Sequence, residues 1–72
     1  MPATEKDFNK WLGNKIKALR LKAGLVQEDV EEFDVNVKQY QRIERGIVNP
    51  GAYTIYKLCQ AFKCTPNDII NF

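Results

Sequence analysis

Residues 27 to 46 read QEDVEEFDVNVKQYQRIERG. Val30 and Phe33 stand three apart and give one apolar face to a short helix, Gln27 to Phe33. Asp34 and Val35 then supply a turn. Tyr40 and Ile43, again three apart, mark the inner face of a second short helix, Asn36 to Arg45, which Gly46 closes. Each short helix offers only one or two apolar anchors, so the pair needs neighbouring helices to bury them.

The flanks provide those neighbours. Thr4 followed by Asp7 forms a capping signal, and Phe8, Leu12, Ile16 and Leu19 recur along one helical stripe that ends at Gly24, with Trp11 beside it. This opening helix of about 19 residues is long for so small a chain, and Gly13 marks a place for it to bend. Downstream, Pro50-Gly51 precedes a helix from Ala52 to Lys63, with its stripe at Ala52, Ile55, Leu58, Cys59 and Phe62. Thr65-Pro66-Asn67-Asp68 opens a fifth helix, with Thr65 as cap, Pro66 at the first helical position and Asp68 completing the box. Ile69, Ile70 and Phe72 form its apolar end. Alternation never extends beyond about four residues, so no strand is expected. The pattern predicts an all-α, compact five-helix bundle around a central helix-turn-helix. The 72 residues suffice for one domain, with 1–11 as an extension of the first helix and 12–70 as the core.

Composition narrows the function. The chain lacks histidine, which removes a histidine base, a Ser-His-Asp triad and a Cys-His nucleophile. It has no GxxxxGKS loop, no GxGxxG after a strand and no HExxH. Glu28, Asp29, Glu31 and Glu32 read as a solvated helix face. Cys59 and Cys64 have no further Cys or His to complete a metal site. On one continuous helix they would sit about 140° apart, poorly placed for bridging, and they read as reduced, partly buried thiols. No metal, cofactor or small-molecule ligand is expected, and neither is a membrane span or signal peptide. This points to a cytoplasmic protein.

Net charge is only +2, but it is unevenly placed. Five of the nine acids fall between Glu28 and Asp34, whereas the helix after the turn carries Lys38, Arg42 and Arg45 against Glu44. Its outward set, Asn36, Val37, Lys38, Gln41 and Arg42, is rich in amide and basic groups able to read base edges in a DNA major groove. Arg42 suits guanine, Gln41 suits adenine, and Val37 suits a thymine methyl. The alternative is a polar face on any helical bundle.

The run Arg42-Ile43-Glu44-Arg45-Gly46, then Asn49-Pro50, then Thr54 with Lys57-Leu58, resembles the lambda repressor/Cro-type (XRE-like) helix-turn-helix family. Leu12, Ile16, Leu19-Arg20, Gly24-Leu25, Gln27-Glu28, Ala61-Phe62 and Asp68-Ile69-Ile70 extend the likeness over about four fifths of the chain. The resemblance implies a double-stranded DNA partner and a repressor-like role. Gln27 would touch backbone phosphate; Asn36, Val37, Lys38, Gln41 and Arg42 would face the groove; and Gly46 and Asn49 would lie in the loop that nears the phosphates. Arg20 and Glu44 would pair structurally between the first and third helices. Members commonly bind as two-fold homodimers. Ile69, Ile70 and Phe72 would serve that contact or pack on their own core. Against the family spacing, the segment from Gln27 to Arg42 is one residue short, with the shortfall between Val30 and Val35. Glu31 stands at an alanine position, Asp34 at a turn glycine, and Val26 at a Ser/Thr cap. A second reading is a protein–protein adaptor, or an antitoxin-like partner, that keeps the fold. It would present an apolar patch at Phe8, Trp11 and Tyr53, where a regulator would show a basic rim of Lys38, Arg42, Lys57 and the first-helix lysines. An enzyme is the third and weakest reading.

Overall fold

The computed structural model describes residues 3–70, leaving Phe72 of the apolar C-terminus outside the described residues. Its elements are α1 (Glu5–Lys22), a 3-10 helix (Gln27–Phe33), α2 (Val37–Arg45), α3 (Ala52–Phe62) and α4 (Pro66–Ile69). Among the described residues no strand occurs, as the sequence pattern requires. α1 packs chiefly on α2 and also on α4, while α3 packs on the 3-10 helix and α4. Leu12, Ile16, Val30, Tyr40, Ile43, Leu58 and Ile69 lie fully buried where these elements meet. The Tyr40 and Phe62 rings meet edge to face at 6.2 Å, a favoured aromatic geometry.

The caps explain most boundaries. Thr4 Oγ1 accepts the Asp7 amide at 3.1 Å at the start of α1. The Asp68 carboxylate accepts the Thr65 amide at 2.9 Å at the start of α4. Asn36 does not belong to α2. It is the N-cap, its Oδ1 accepting the Gln39 amide at 3.0 Å, so the helix begins at Val37. Val26 has no side chain to cap the 3-10 helix, but the Asp29 carboxylate reaches back to its amide at 2.9 Å. That contact satisfies the cap residue's own amide, and the Asp29 amide, which a cap hydroxyl would have accepted, donates to the Val26 carbonyl at 3.1 Å.

α1 runs through Gly13 as one unbroken helix. A Cβ there would strike the carbonyl oxygens of Ile43 and Glu44, the latter at 2.8 Å. Gly13 is therefore the point of closest approach between α1 and α2. Gly46 has two reasons to be glycine: its φ is +76°, and a Cβ would stand 2.7 Å from the Lys10 Cα.

The helix before the turn is wound more tightly than the other helices. A 3-10 helix rises about 2.0 Å per residue, against about 1.5 Å for an α-helix. The seven residues Gln27–Phe33 therefore span roughly 14 Å, which an α-helix would need about nine residues to cover. Tighter winding thus covers a longer span with fewer residues. Asp34 then turns the chain with φ 62° and ψ 39°, a left-handed conformation that aspartate tolerates better than most residues. Glu31, at the small-residue position, simply points to solvent.

Three expectations need correction. Trp11 is half-buried and packs with Phe8 against the core, with the Lys15 ammonium 5.0 Å from its ring centre. Ala52 is exposed, since the first turn of α3 overhangs the core. The helical relation assumed for Cys59 and Cys64 does not hold: α3 ends at Phe62 and Lys63 turns left-handed at φ 54° and ψ 48°.

Candidate nucleic-acid interface

α2 is held in place by a buried polar chain. Arg20 on α1 is 6% exposed and Glu44 on α2 is 9% exposed. Arg20 Nε donates to Glu44 Oε2 at 2.7 Å, Nη2 donates to Oε1 at 3.3 Å, and Nη1 donates to the Leu25 carbonyl at 2.8 Å. This two-point ion pair fixes the roll of α2 about its own axis as well as its position. Burial pushes the Glu44 carboxyl up, but hydrogen bonds from Arg20 and Gln27, with the Tyr40 hydroxyl close by, outweigh that and hold it below its ordinary value. The Tyr40 hydroxyl is buried against the same carboxylate without an aligned hydrogen bond. Burial raises its pKa, so it stays protonated.

The chain continues to the surface. Gln27 Nε2 donates to Glu44 Oε1 at 3.0 Å, and Gln41 Nε2 donates to Gln27 Oε1 at 3.2 Å. Arg20, Glu44, Gln27 and Gln41 thus form one line from α1 to the outer face of α2. Each of the two glutamines keeps at least one amide N–H beyond these bonds. Gln27 and Gln41 are half-buried, so the line ends at solvent.

The outer face follows from the inner one. Tyr40, Ile43 and Glu44 point inward. At about 100° per residue, Lys38, Arg42 and Arg45 then lie on the opposite side, with Gln41 on their flank. All three basic residues are exposed, and no acid shares the strip. Arg45 was missed in the sequence reading. Its spacing from Lys38 and Arg42, seven and three residues, would have revealed it. Lys57 leaves the proposed basic rim: its Nζ donates to the Asp34 carbonyl at 2.6 Å and lies 4.6 Å from the Tyr53 ring centre.

Two other candidates have structural work. Asn36 spends its side-chain oxygen on the cap. Asn49 Nδ2 donates to Oδ1 of the buried Asn9 at 3.1 Å, tying the loop after α2 to α1. Val37 is half-buried at the edge of the strip. Among the described residues no group of three or more His, Cys, Asp or Glu could hold a metal ion, and no helix is long and apolar enough to cross a membrane.

A helix-turn-helix family model matches residues 16–69, three quarters of the chain. The protein belongs to this DNA-binding helix-turn-helix family. The match begins inside α1 and ends with α4, taking in Arg20, Glu44 and the whole surface just described. No curated protein and no solved structure matches the chain.

Proposed function

We propose that this helix-turn-helix protein is a sequence-specific, double-stranded-DNA-binding transcriptional regulator, repressor-like and without catalytic activity, that docks α2 in the major groove. The observation that carries the reading is the acid-free strip of Lys38, Gln41, Arg42 and Arg45, backed by a buried line that orients it from behind. A reading helix must hold its side chains to the tolerance of base-edge hydrogen bonds, and the Glu44–Gln27–Gln41 line supports that requirement. Gln27, at the start of the 3-10 helix, clamps a phosphate. Gln41 and Arg42 read bases, while Lys38 and Arg45 add backbone attraction and base contact at the groove edges. The protein acts in the cytoplasm as a homodimer on a two-fold site, excluding other proteins from that site by occupying it.

Two variants test this reading. Arg42→Ala should cost about 1–3 kcal/mol on the preferred site and relax discrimination at one base position. Gln27→Ala should weaken all duplexes alike, because a phosphate contact carries no sequence information. Equal, sequence-independent losses for both would reduce Arg42 to a phosphate clamp and remove it as a reader.

One observation favours the adaptor reading as a second function. Tyr53 and Tyr56 are 68% and 54% exposed and stack at 6.2 Å. Exposed aromatic pairs are common interface anchors. Loss of a protein partner in Tyr53→Ala/Tyr56→Ala, with DNA binding intact, would establish that second role. Phe8 and Trp11 contribute little to such a patch, since both pack inward.

A further inference from the structure

The end of α3 brings the two cysteines together. Lys63 is left-handed, and the Cys64 amide donates back to the Cys59 carbonyl at 3.0 Å. This six-to-one bond is the signature of a Schellman motif, which commonly brings the side chains at these two positions together. Cys59 is buried and Cys64 half-buried, and both line the same apolar groove between α3 and α4, with Ile55, Tyr56, Pro66 and Ile70.

We propose that Cys59 and Cys64 form a redox modification site, a dithiol that closes to an intramolecular disulfide by exchange with a small-molecule disulfide such as oxidised glutathione. Cys64, the more accessible thiol, loses its proton to solvent and attacks one sulfur of the small disulfide. That sulfur–sulfur bond breaks and one glutathione leaves. Cys59, deprotonated in turn, attacks the Cys64 sulfur of the mixed disulfide, and the second glutathione leaves. Two protein thiols are oxidised by two electrons, and one glutathione disulfide is reduced to two glutathiones.

The native fold supplies the juxtaposition that makes the second attack intramolecular. Burial, and then the neighbouring Cys59, push the Cys64 thiol up to about 11. The site therefore lacks the acidic thiolate of a fast peroxide sensor and follows the slower poise of a disulfide pool. The closed form would staple the last turn of α3 to the start of the α3–α4 connection at the groove wall.

The test equilibrates the full chain in glutathione buffers of stepped oxidation, natively and in urea. After acid quenching, free thiols are alkylated and intact masses read. The native chain should lose both thiols together, retain no glutathione and remain a single chain. Its exchange equilibrium constant should exceed that of the unfolded chain about tenfold or more, equivalent to about 30 mV. Natively, Cys59→Ser should stop at a mixed disulfide on Cys64, whereas Cys64→Ser, left with the buried Cys59, should stay a free thiol. The proposal fails if the unfolded chain oxidises more readily than the native one, if the native chain stops at a mixed disulfide, or if it links to a second chain.

Discussion

Replacing Glu44 with leucine removes one half of the Arg20–Glu44 pair while keeping the site filled. The Arg20 guanidinium is then left with the Leu25 carbonyl as its remaining partner, in surroundings where only 7% of its side chain meets solvent. Breaking a buried pair from one side costs about 3–5 kcal/mol, and the Leu25 carbonyl that stays bonded to Arg20 puts the loss near 3. A chain of 72 residues unfolds with an entropy of about 0.15 kcal/mol/K, so the midpoint should fall by roughly 20 °C. Total stability at this length is about 4–11 kcal/mol, so the variant still folds in the cold. Arg20→Met should behave similarly, by stranding the carboxylate. The double variant Arg20→Met/Glu44→Leu should recover most of the loss, because two apolar side chains replace the pair and no charge is stranded. Thermal unfolding followed by circular dichroism on all four proteins measures this directly. Losses that simply add, or a Glu44→Leu cost below about 1 kcal/mol, would refute the reasoning. The double variant also separates stability from function: Gln27 loses its acceptor, Gln41 loses its brace, and DNA affinity should stay low in a protein that is stable again.

Other outcomes follow from the same geometry. Folding lowers the Glu44 pKa, so its contribution is complete above the unfolded value of 4.5 and is lost as pH falls through the lower folded value. Acid unfolding should therefore be shallower in the double variant, and equal slopes would contradict this. Gly13→Ala should cost about 3 kcal/mol in urea unfolding, the upper end for overpacking, because the clashing atoms are backbone oxygens of α2. Gly51→Ala, which meets nothing within 4 Å, should be close to neutral. Lys63→Gly should raise the thermal midpoint, a gain of up to about 1 kcal/mol, by relieving a left-handed residue at φ 54°.

The helices were legible because their periodicity and caps are local. Tyr40 with Ile43, Thr65 with Asp68, and Gly46 each carry their own reason for their position. What the pattern missed depends on contacts between elements. Gly13 looks like a helix weakener until α2 lies against it. Val26 looks uncapped until Asp29 turns back to its amide. The winding of residues 27–33 as a 3-10 helix cannot be read from so short an apolar pattern. The cysteine pair is the sharpest case, since a single left-handed residue, Lys63, converts a divergent spacing into a contact. On the outer face of α2, Lys38, Gln41 and Arg42 were visible from composition. Arg45 needed the helical angle, and the line from Arg20 through Glu44 and Gln27 to Gln41 needed coordinates.

The decisive experiment is selection of bound duplexes from a randomised DNA library at two salt concentrations, followed by sequencing of the retained strands. Enrichment of a short two-fold site, bound with an affinity that falls steeply as salt rises, is the expected result for α2 reading bases beside phosphate clamps. Binding without enrichment, or no tighter than roughly 10⁻⁴ M at physiological salt, would contradict the regulator and leave the exposed tyrosines of α3 as the face to pursue.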